Sequence, residues 1–351
     1  MLGNRDMRGG IRLLLIACLA LFATPMWAAD GGASEQVQRQ QSQPLNNAPV
    51  WRDVRGGDNA NLTTQVRGIE TTVLVQTEGE VWRQIRNGPI TVYGGWLLVL
   101  VVAALGVFYL WRGKIMLGHP KSGRLVERFS AWDRVVHWAT AISFVILAIT
   151  GMITLFGKHI LLPVFGYTIF SWVATLSKTL HNFVGPLFAV CTVLIFFTFV
   201  KDNIWQRGDW EWVMKAGGLF TGKHVPSWRF NIAEKSWFWF GVTFLGIILS
   251  ATGFILDFPN FAQGRETMQM SNIIHSVAAV LFIAAAFGHI YLGTIGMEGA
   301  YESMRNGSVD ETWAKEHHEY WYNDIKGQGG VAGGGAPSAV HASAVKEGWK
   351  L

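Results

Sequence analysis

Five long apolar segments, at 93–112, 134–157, 178–200, 236–257 and 271–296, constrain this chain more than any other feature. Each is near the ~20 residues that an α-helix needs to cross the hydrocarbon core of a bilayer. Half of the 351 residues are hydrophobic and only 15% are charged, which excludes an ordinary soluble domain of this size. The net charge of +5 does not point to nucleic acid, because the basic residues lie between the apolar segments rather than in one patch. The fold class expected is an all-α membrane protein: a four-helix transmembrane bundle over 126–300, preceded by an extra span at 91–113 and a small exported N-terminal region.

The ends and loops set an expected topology. Residues 1–29 carry Arg5, Arg8 and Arg12, then an apolar run from Leu13 to Phe22, then Ala28 and Ala29, the pattern of a cleaved secretory signal. An uncleaved anchor helix is the alternative, and in both cases the following segment is exported. Residues 30–90 read as a disordered Gln-rich stretch followed by a short strand or two around 71–76. The loops after the first and third spans are basic, with Arg112, Lys114, Lys121, Arg124 and Arg128 in one and Lys201, Arg207, Lys215, Lys223, Arg229 and Lys235 in the other. The alternate loops hold only Lys158 and Arg265. An excess of Lys and Arg marks the cytoplasmic side, so the expected location is the bacterial inner membrane with the N-terminal region periplasmic and the 301–351 tail cytoplasmic. In that tail a polar, aromatic stretch, Trp313 to Tyr322, is expected to be solvated, with His317 and His318 as surface residues rather than metal ligands, and the Gly/Ala-rich end from Gly327 is expected to be flexible.

Cys18 and Cys191 are the only cysteines, the first in the signal segment and the second in an apolar span. A disulfide, an iron–sulfur cluster and a covalent c-type haem are therefore not expected in this chain. Histidines take their place. His137, His181, His275 and His289 lie in apolar spans, where an ionisable side chain is costly and marks function. With alternating spans, His181 and His275 fall at the periplasmic level and His137 and His289 at the cytoplasmic level. The last two histidines of the set are 14 residues apart on one segment, nearly four whole turns and ~21 Å, so one helix face serves two levels. Facing imidazoles at each level make the axial pair of a six-coordinate haem iron, giving pairs His181/His275 and His137/His289. Zinc needs three or four ligands at one depth, and no Cys, Asp or Glu stands beside these histidines. Gly151 and Gly185, on the same faces as His137 and His181, offer space for a porphyrin, although ordinary small-residue packing is equally consistent with each.

The runs Asp-Arg-Val-Val-His-Trp (133–138), Leu-His-Asn-Phe-Val-Gly (180–185), Ile-His-Ser-Val-Ala-Ala (274–279) and Gly-His-Ile-Tyr (288–291), with the tail Trp-Ala-Lys-Glu-His-His-Glu-Tyr-Trp-Tyr (313–322), resemble the gamma subunit of the respiratory formate dehydrogenases. The resemblance covers 126–325. It implies a cytochrome b with two haem b groups held by the same four histidines in the same pairs. It also implies a quinone pocket beside the cytoplasmic-side haem, to which Asn231 in Phe-Asn-Ile-Ala-Glu-Lys (230–235) would contribute, with Lys235 nearby. Ala233 stands where the family is expected to have a glycine, and Asn231 also reads simply as a turn residue before a helix. The implied partners are a molybdopterin (Mo or W) catalytic alpha subunit that oxidises formate, an iron–sulfur beta subunit, and menaquinone or ubiquinone as electron acceptor, in contact with membrane lipid. The same scaffold could serve a hydrogenase or a thiosulfate or polysulfide reductase. A haem-free anchor or sensor is the reading from another class, and it leaves the paired levels unexplained.

Overall fold

A computed structural model describes residues 77–218, 224–261 and 263–327. The signal segment, the Gln-rich stretch, the strand expected around 71–76 and the Gly/Ala-rich end beyond Gly327 lie outside the described residues. Nearly all the described residues, those from Trp82 onward, belong to one of the two compact units of the chain. That unit carries the bundle and the tail.

Helix begins earlier than the expected span at 91. Helix α1 (Thr77–Ile85) runs through a π turn (Arg86–Ile90) into α2 (Thr91–Arg112). Pro89 sits in that turn, and a proline has no N–H to donate and crowds the preceding carbonyls, so the ladder widens there instead of breaking. The hydroxyl of Thr91 donates at 2.7 Å to the Arg86 carbonyl, which also accepts the Thr91 backbone N–H across the widened turn. The stretch Gly79–Arg112 is long and apolar enough to cross a membrane.

Helix α3 (Ala131–Phe199) contains the second and third apolar segments in one 69-residue run. Straight, it would be ~100 Å long, about three hydrocarbon cores. Gly166 breaks it with φ 71°, a left-handed conformation that only glycine adopts cheaply. The arms then run antiparallel. A Cβ on Gly157 would meet the Phe170 ring, Thr150 reaches His181, and Thr140 lies 3.5 Å from the Cys191 carbonyl. The loop expected at 158–177 is therefore helical except at Gly166, because its residues are apolar and carry no other breaker strong enough to stop a helix. Pro163 lies three residues before the break. The start of α3 is closed by a capping box in which Ser130 and Asp133 exchange side-chain and backbone hydrogen bonds of 3.2 and 3.1 Å.

After the short α4 (Asp209–Met214), α5 (Ile232–Ser236), a nine-residue π segment (Trp237–Leu245) and α6 (Gly246–Asp257) make one continuous span. Helix α7 (Arg265–Tyr291) is the next, extended by a π turn to Gly296. It packs against α2, α3 and α6 and is the central element of the bundle. Many leucine, valine and aromatic side chains on the outer faces are exposed, Leu110 at 85% and Phe197 at 70% among them, which is the surface a lipid environment would cover.

The tail is a small folded layer, contrary to the solvated stretch expected from its polarity. Helix α8 (Ala300–Asn306) leads to strand β2 (Ser308–Asp310), which pairs antiparallel with β1 (Leu125–Glu127) in the register Leu125↔Asp310, Val126↔Val309, Glu127↔Ser308. Helices α9 (Glu311–His317) and α10 (Glu319–Gly327) then close over Val126, Val309, Trp313, Ala314, Trp321 and Tyr322, all buried. Its core is assembled from pieces almost two hundred residues apart, so no local period announces it. Arg128 ties this layer to the bundle. It is buried, its guanidinium lies 4.9–5.6 Å from the rings of Phe129, Phe230 and Trp313, and it pairs with Glu234 at 3.0 Å. Arg229 bridges Asp133 at 2.8 Å and also binds Asp202.

Candidate functional site

The hairpin of α3 and the face of α7 bring the four intramembrane histidines together in two pairs. His181 and His275 have ring centroids 6.1 Å apart at 71°, and His137 and His289 have centroids 6.2 Å apart at 54°. Two imidazoles that point at a shared metal through bonds of about 2 Å have centroids ~6 Å apart. Both pairs have that spacing. Rings hydrogen-bonded directly to each other would stand closer. The first pair is the hairpin-side site, near the Gly166 turn, and the second is the tail-side site, near the folded tail.

At the hairpin-side site each imidazole is held by a threonine on the helix it faces. Thr150 Oγ1 lies 2.8 Å from His181 Nδ1, and Thr252 Oγ1 lies 2.9 Å from His275 Nδ1. Each hydroxyl already donates its proton to a carbonyl one turn back, Thr150 to Ile146 at 2.8 Å and Thr252 to Ile248 at 2.6 Å. With its proton on that carbonyl the hydroxyl accepts from the ring, an arrangement that would put the imidazole proton on Nδ1 and leave Nε2 with a lone pair for a metal. The next residue in each case is a glycine. A Cβ on Gly151 would stand 3.4 Å from His181 Cε1, and one on Gly253 would stand 3.5 Å from His275 Cε1. At those distances a Cβ would make ordinary van der Waals contact, so Gly151 and Gly253 each lie directly against a histidine ring. A Cβ on Gly185 would meet no atom within 4 Å, so the space beside it is open.

The tail-side site is built from aromatic rings. The indole of Trp237, at the head of the π segment, stacks on His289 with centroids 4.8 Å apart and planes 11° from parallel. Trp138 stands edge-on to His137 at 5.3 Å and donates its indole N–H to the Met304 carbonyl of α8 at 3.2 Å. His137 Nδ1 is buried without a hydrogen-bond partner among the described residues. A buried polar atom left in this state is costly, and its presence beside a second imidazole fits a group that the protein binds at this point.

Between the sites lies a layer of phenylalanines. Phe144, Phe188 and Phe282 each follow a histidine by seven residues, two helical turns, and so share its face. Phe144 and Phe282 have centroids 4.6 Å apart, Phe188 lies 6.2 Å from Phe282, and Trp237 lies 5.4 Å from Phe282. This layer was not anticipated from the sequence, nor were Thr150, Thr252 and Trp237. The repeated Thr-Gly pair at 150–151 and 252–253, together with the +7 phenylalanines, is the signal that would have found most of them.

Asn231 caps α5, its Oδ1 accepting from Ala233 N and Glu234 N at 3.0 Å each while Glu234 bonds back to Asn231 N at 2.8 Å. That cap uses the carbonyl oxygen and leaves the side-chain NH2 outside it. Lys235, expected near a quinone, is instead 1% exposed and bound to Asp209 at 2.7 Å and Gln206 at 3.0 Å. A buried ammonium needs such partners, and α4 and the turn before it supply them.

The tail histidines also depart from expectation. His318 is fully buried, with Nδ1 2.6 Å from the Trp228 carbonyl, and burial holds its pKa well below the usual imidazole range. Burial, reinforced by the neighbouring His224, lowers His317 to about 4.

The model of the prokaryotic cytochrome b561 family matches residues 128–307. The formate dehydrogenase cytochrome b556(fdo) subunit of Escherichia coli (strain K12) is 29% identical over 205 residues, 57% of this chain and 93% of that protein. The nitrate-inducible formate dehydrogenase cytochrome b556(Fdn) subunit of the same organism is 28% identical over 209 residues, covering 58% and 93%. The formate dehydrogenase cytochrome b556 subunit of Haemophilus influenzae is 23% identical over 202 residues, covering 54% and 79%.

Proposed function

The chain belongs to the prokaryotic cytochrome b561 family, and from that premise we propose that it is the membrane dihaem subunit of a formate dehydrogenase, delivering electrons to quinone. The observation that carries this reading is the pair of facing imidazoles repeated at two levels of one bundle, at 6.1 and 6.2 Å. His181 with His275 and His137 with His289 are the residues that would each hold a haem b. The chemistry such a group would supply when bound is one-electron transfer.

The protein's own contribution is binding and orientation. Thr150 and Thr252 hold two ligands in the metal-ready tautomer, Trp237 braces a third, and the phenylalanine layer excludes water between the sites. Among the described residues no cysteine cluster offers an iron–sulfur ligand set, and the names of the three relatives support a formate dehydrogenase assembly. In it an alpha subunit with molybdopterin would oxidise formate and an iron–sulfur beta subunit would pass the electrons on. We place the hairpin-side site toward the periplasm and the tail toward the cytoplasm, on the strength of the basic loops that pack with the tail. Quinone would meet the tail-side site, with the Asn231 amide as its donor.

The deciding experiment is a dithionite-reduced minus oxidised spectrum with pyridine-haemochrome quantitation of the purified chain. Two b haems per chain, falling to about one in His181→Ala and in His289→Ala, is the expected result. A chain with no haem, or with haem unaffected by either substitution, would end the proposal. Formate-dependent quinone reduction by the reconstituted complex, lost on Asn231→Ala without loss of haem, is expected for the quinone assignment.

A further inference from the structure

Outside the bundle, three side chains from separate segments converge. His224 comes from the loop before α5, and Glu316 and His317 come from α9; their potential ligand atoms all lie within 4.8 Å of one another. Each is arranged as a ligand would be. His317 Nδ1 lies 3.2 Å from the Trp313 carbonyl one turn back, and a carbonyl can only accept, so the proton sits on Nδ1 and Nε2 carries the lone pair. That Nε2 is buried and has no partner among the described residues. The ring is clamped by the Trp313 indole, stacked at 4.9 Å and 16°.

The carboxylate of Glu316 is oriented by the backbone N–H groups of Gly118 and His119, at 2.9 Å each. Its Oε2 lies 3.2 Å from His224 Nε2, and the His224 and His317 rings are 5.1 Å apart. A fourth donor is in reach, since His119 Nδ1 lies 2.8 Å from Glu316 Oε1.

We propose that His224, Glu316 and His317 form a site for a divalent transition metal, zinc by its donor set, with His119 or water completing the coordination. Two or three imidazoles and one carboxylate suit zinc, whereas calcium and magnesium take oxygen ligands. Ligand atoms around a tetrahedral zinc stand about 3.3 Å apart, given bonds of ~2.0 Å. His224 is exposed and free to close the remaining gap by rotation about its side-chain bonds. The buried, oriented Nε2 of His317 is the feature that a plain hydrogen-bonded His–Glu cluster does not account for. Bound metal would tie the loop that follows α2 and the loop that precedes α5 to the tail. The metal would then act as a clamp between those loops and the tail. The site is independent of the haem reading, because its residues come from the loop before α5 and from α9 and include none of the four histidines in the spans.

The test uses the full chain purified in detergent, free of any histidine tag, and stripped with EDTA, which leaves haem in place. Zn2+ is titrated against a chromophoric chelator, with elemental analysis of the retained metal. One Zn2+ per chain is expected, with affinity weakened on the order of 100-fold or more in His317→Ala and in Glu316→Gln. His224→Gln, a change at an exposed position, is expected to give the same loss, and an unchanged haem spectrum shows that each variant is folded. No Zn2+ retained by the parent chain, or retention unchanged in any one of the three variants, overturns the proposal.

Discussion

The hairpin-side and tail-side histidine pairs share one helix and nearly one spacing, 6.1 against 6.2 Å, yet their surroundings are of different kinds. At the hairpin side both rings donate to threonine hydroxyls, at 2.8 and 2.9 Å. At the tail side one ring is stacked on Trp237 and the other keeps a buried nitrogen without a partner among the described residues. A hydrogen bond accepted from Nδ1–H makes the imidazole a stronger donor and favours the oxidised metal. On the dihaem reading proposed above, this difference would give the hairpin-side centre the lower potential, with other factors equal, and electrons would run downhill toward the tail side.

The largest effect expected is on binding itself. Gly253→Leu drives a branched side chain into His275, whose Cε1 would stand 3.5 Å from even a Cβ, and it should remove the hairpin-side haem while sparing the other. Haem quantitation reads the result as a fall from about two to about one per chain. Retention of both would mean that the ring has room to move and that the glycine is not a cradle.

A smaller effect is expected from Thr150→Val and Thr252→Val, which keep shape and lose the acceptor. If one hydrogen bond differs by about 1 kcal/mol between oxidation states, the hairpin-side midpoint rises by ~40 mV per substitution for a one-electron couple. Redox titration monitored in the haem bands would show this, with the tail-side midpoint unmoved. Equal shifts at both centres would break the comparison.

Trp237→Leu is expected to act in the opposite place. It removes the stack on His289, frees the ring to rotate, and should change the low-spin EPR signal of the tail-side centre alone, with haem content kept. The smallest effect is expected from Phe282→Leu in the dividing layer, which touches neither iron ligand. Both midpoints should stay in place, while flash or stopped-flow measurement shows slower electron equilibration between the sites.

Legibility in the sequence differs from residue to residue. The histidines stand out because an imidazole in a long apolar run is rare, and the 14-residue interval between His275 and His289 is a local property of one helix. The threonines that hold the rings do not stand out, since Thr150 is 31 residues from His181 and a threonine in an apolar helix is ordinary. Lys235 reads as a possible site residue because burial is not visible in a sequence; the structure turns it onto Asp209. His317 and His318 read as solvated for the same reason, and the tail that buries them takes its core from Val126 as well as Trp313.

By itself the sequence determined a helical membrane chain with four intramembrane histidines and two levels on one helix, because apolar length and helical period act over neighbouring residues. Only the tertiary structure decided what surrounds each pair. The reversal at Gly166 sets which turn of one arm faces which turn of the other, and so sets Thr150 against His181. The folded tail likewise exists only where β1 meets β2, and with it the convergence of His224, Glu316 and His317. Contacts of that kind join residues with no fixed interval between them, so no local pattern carries them.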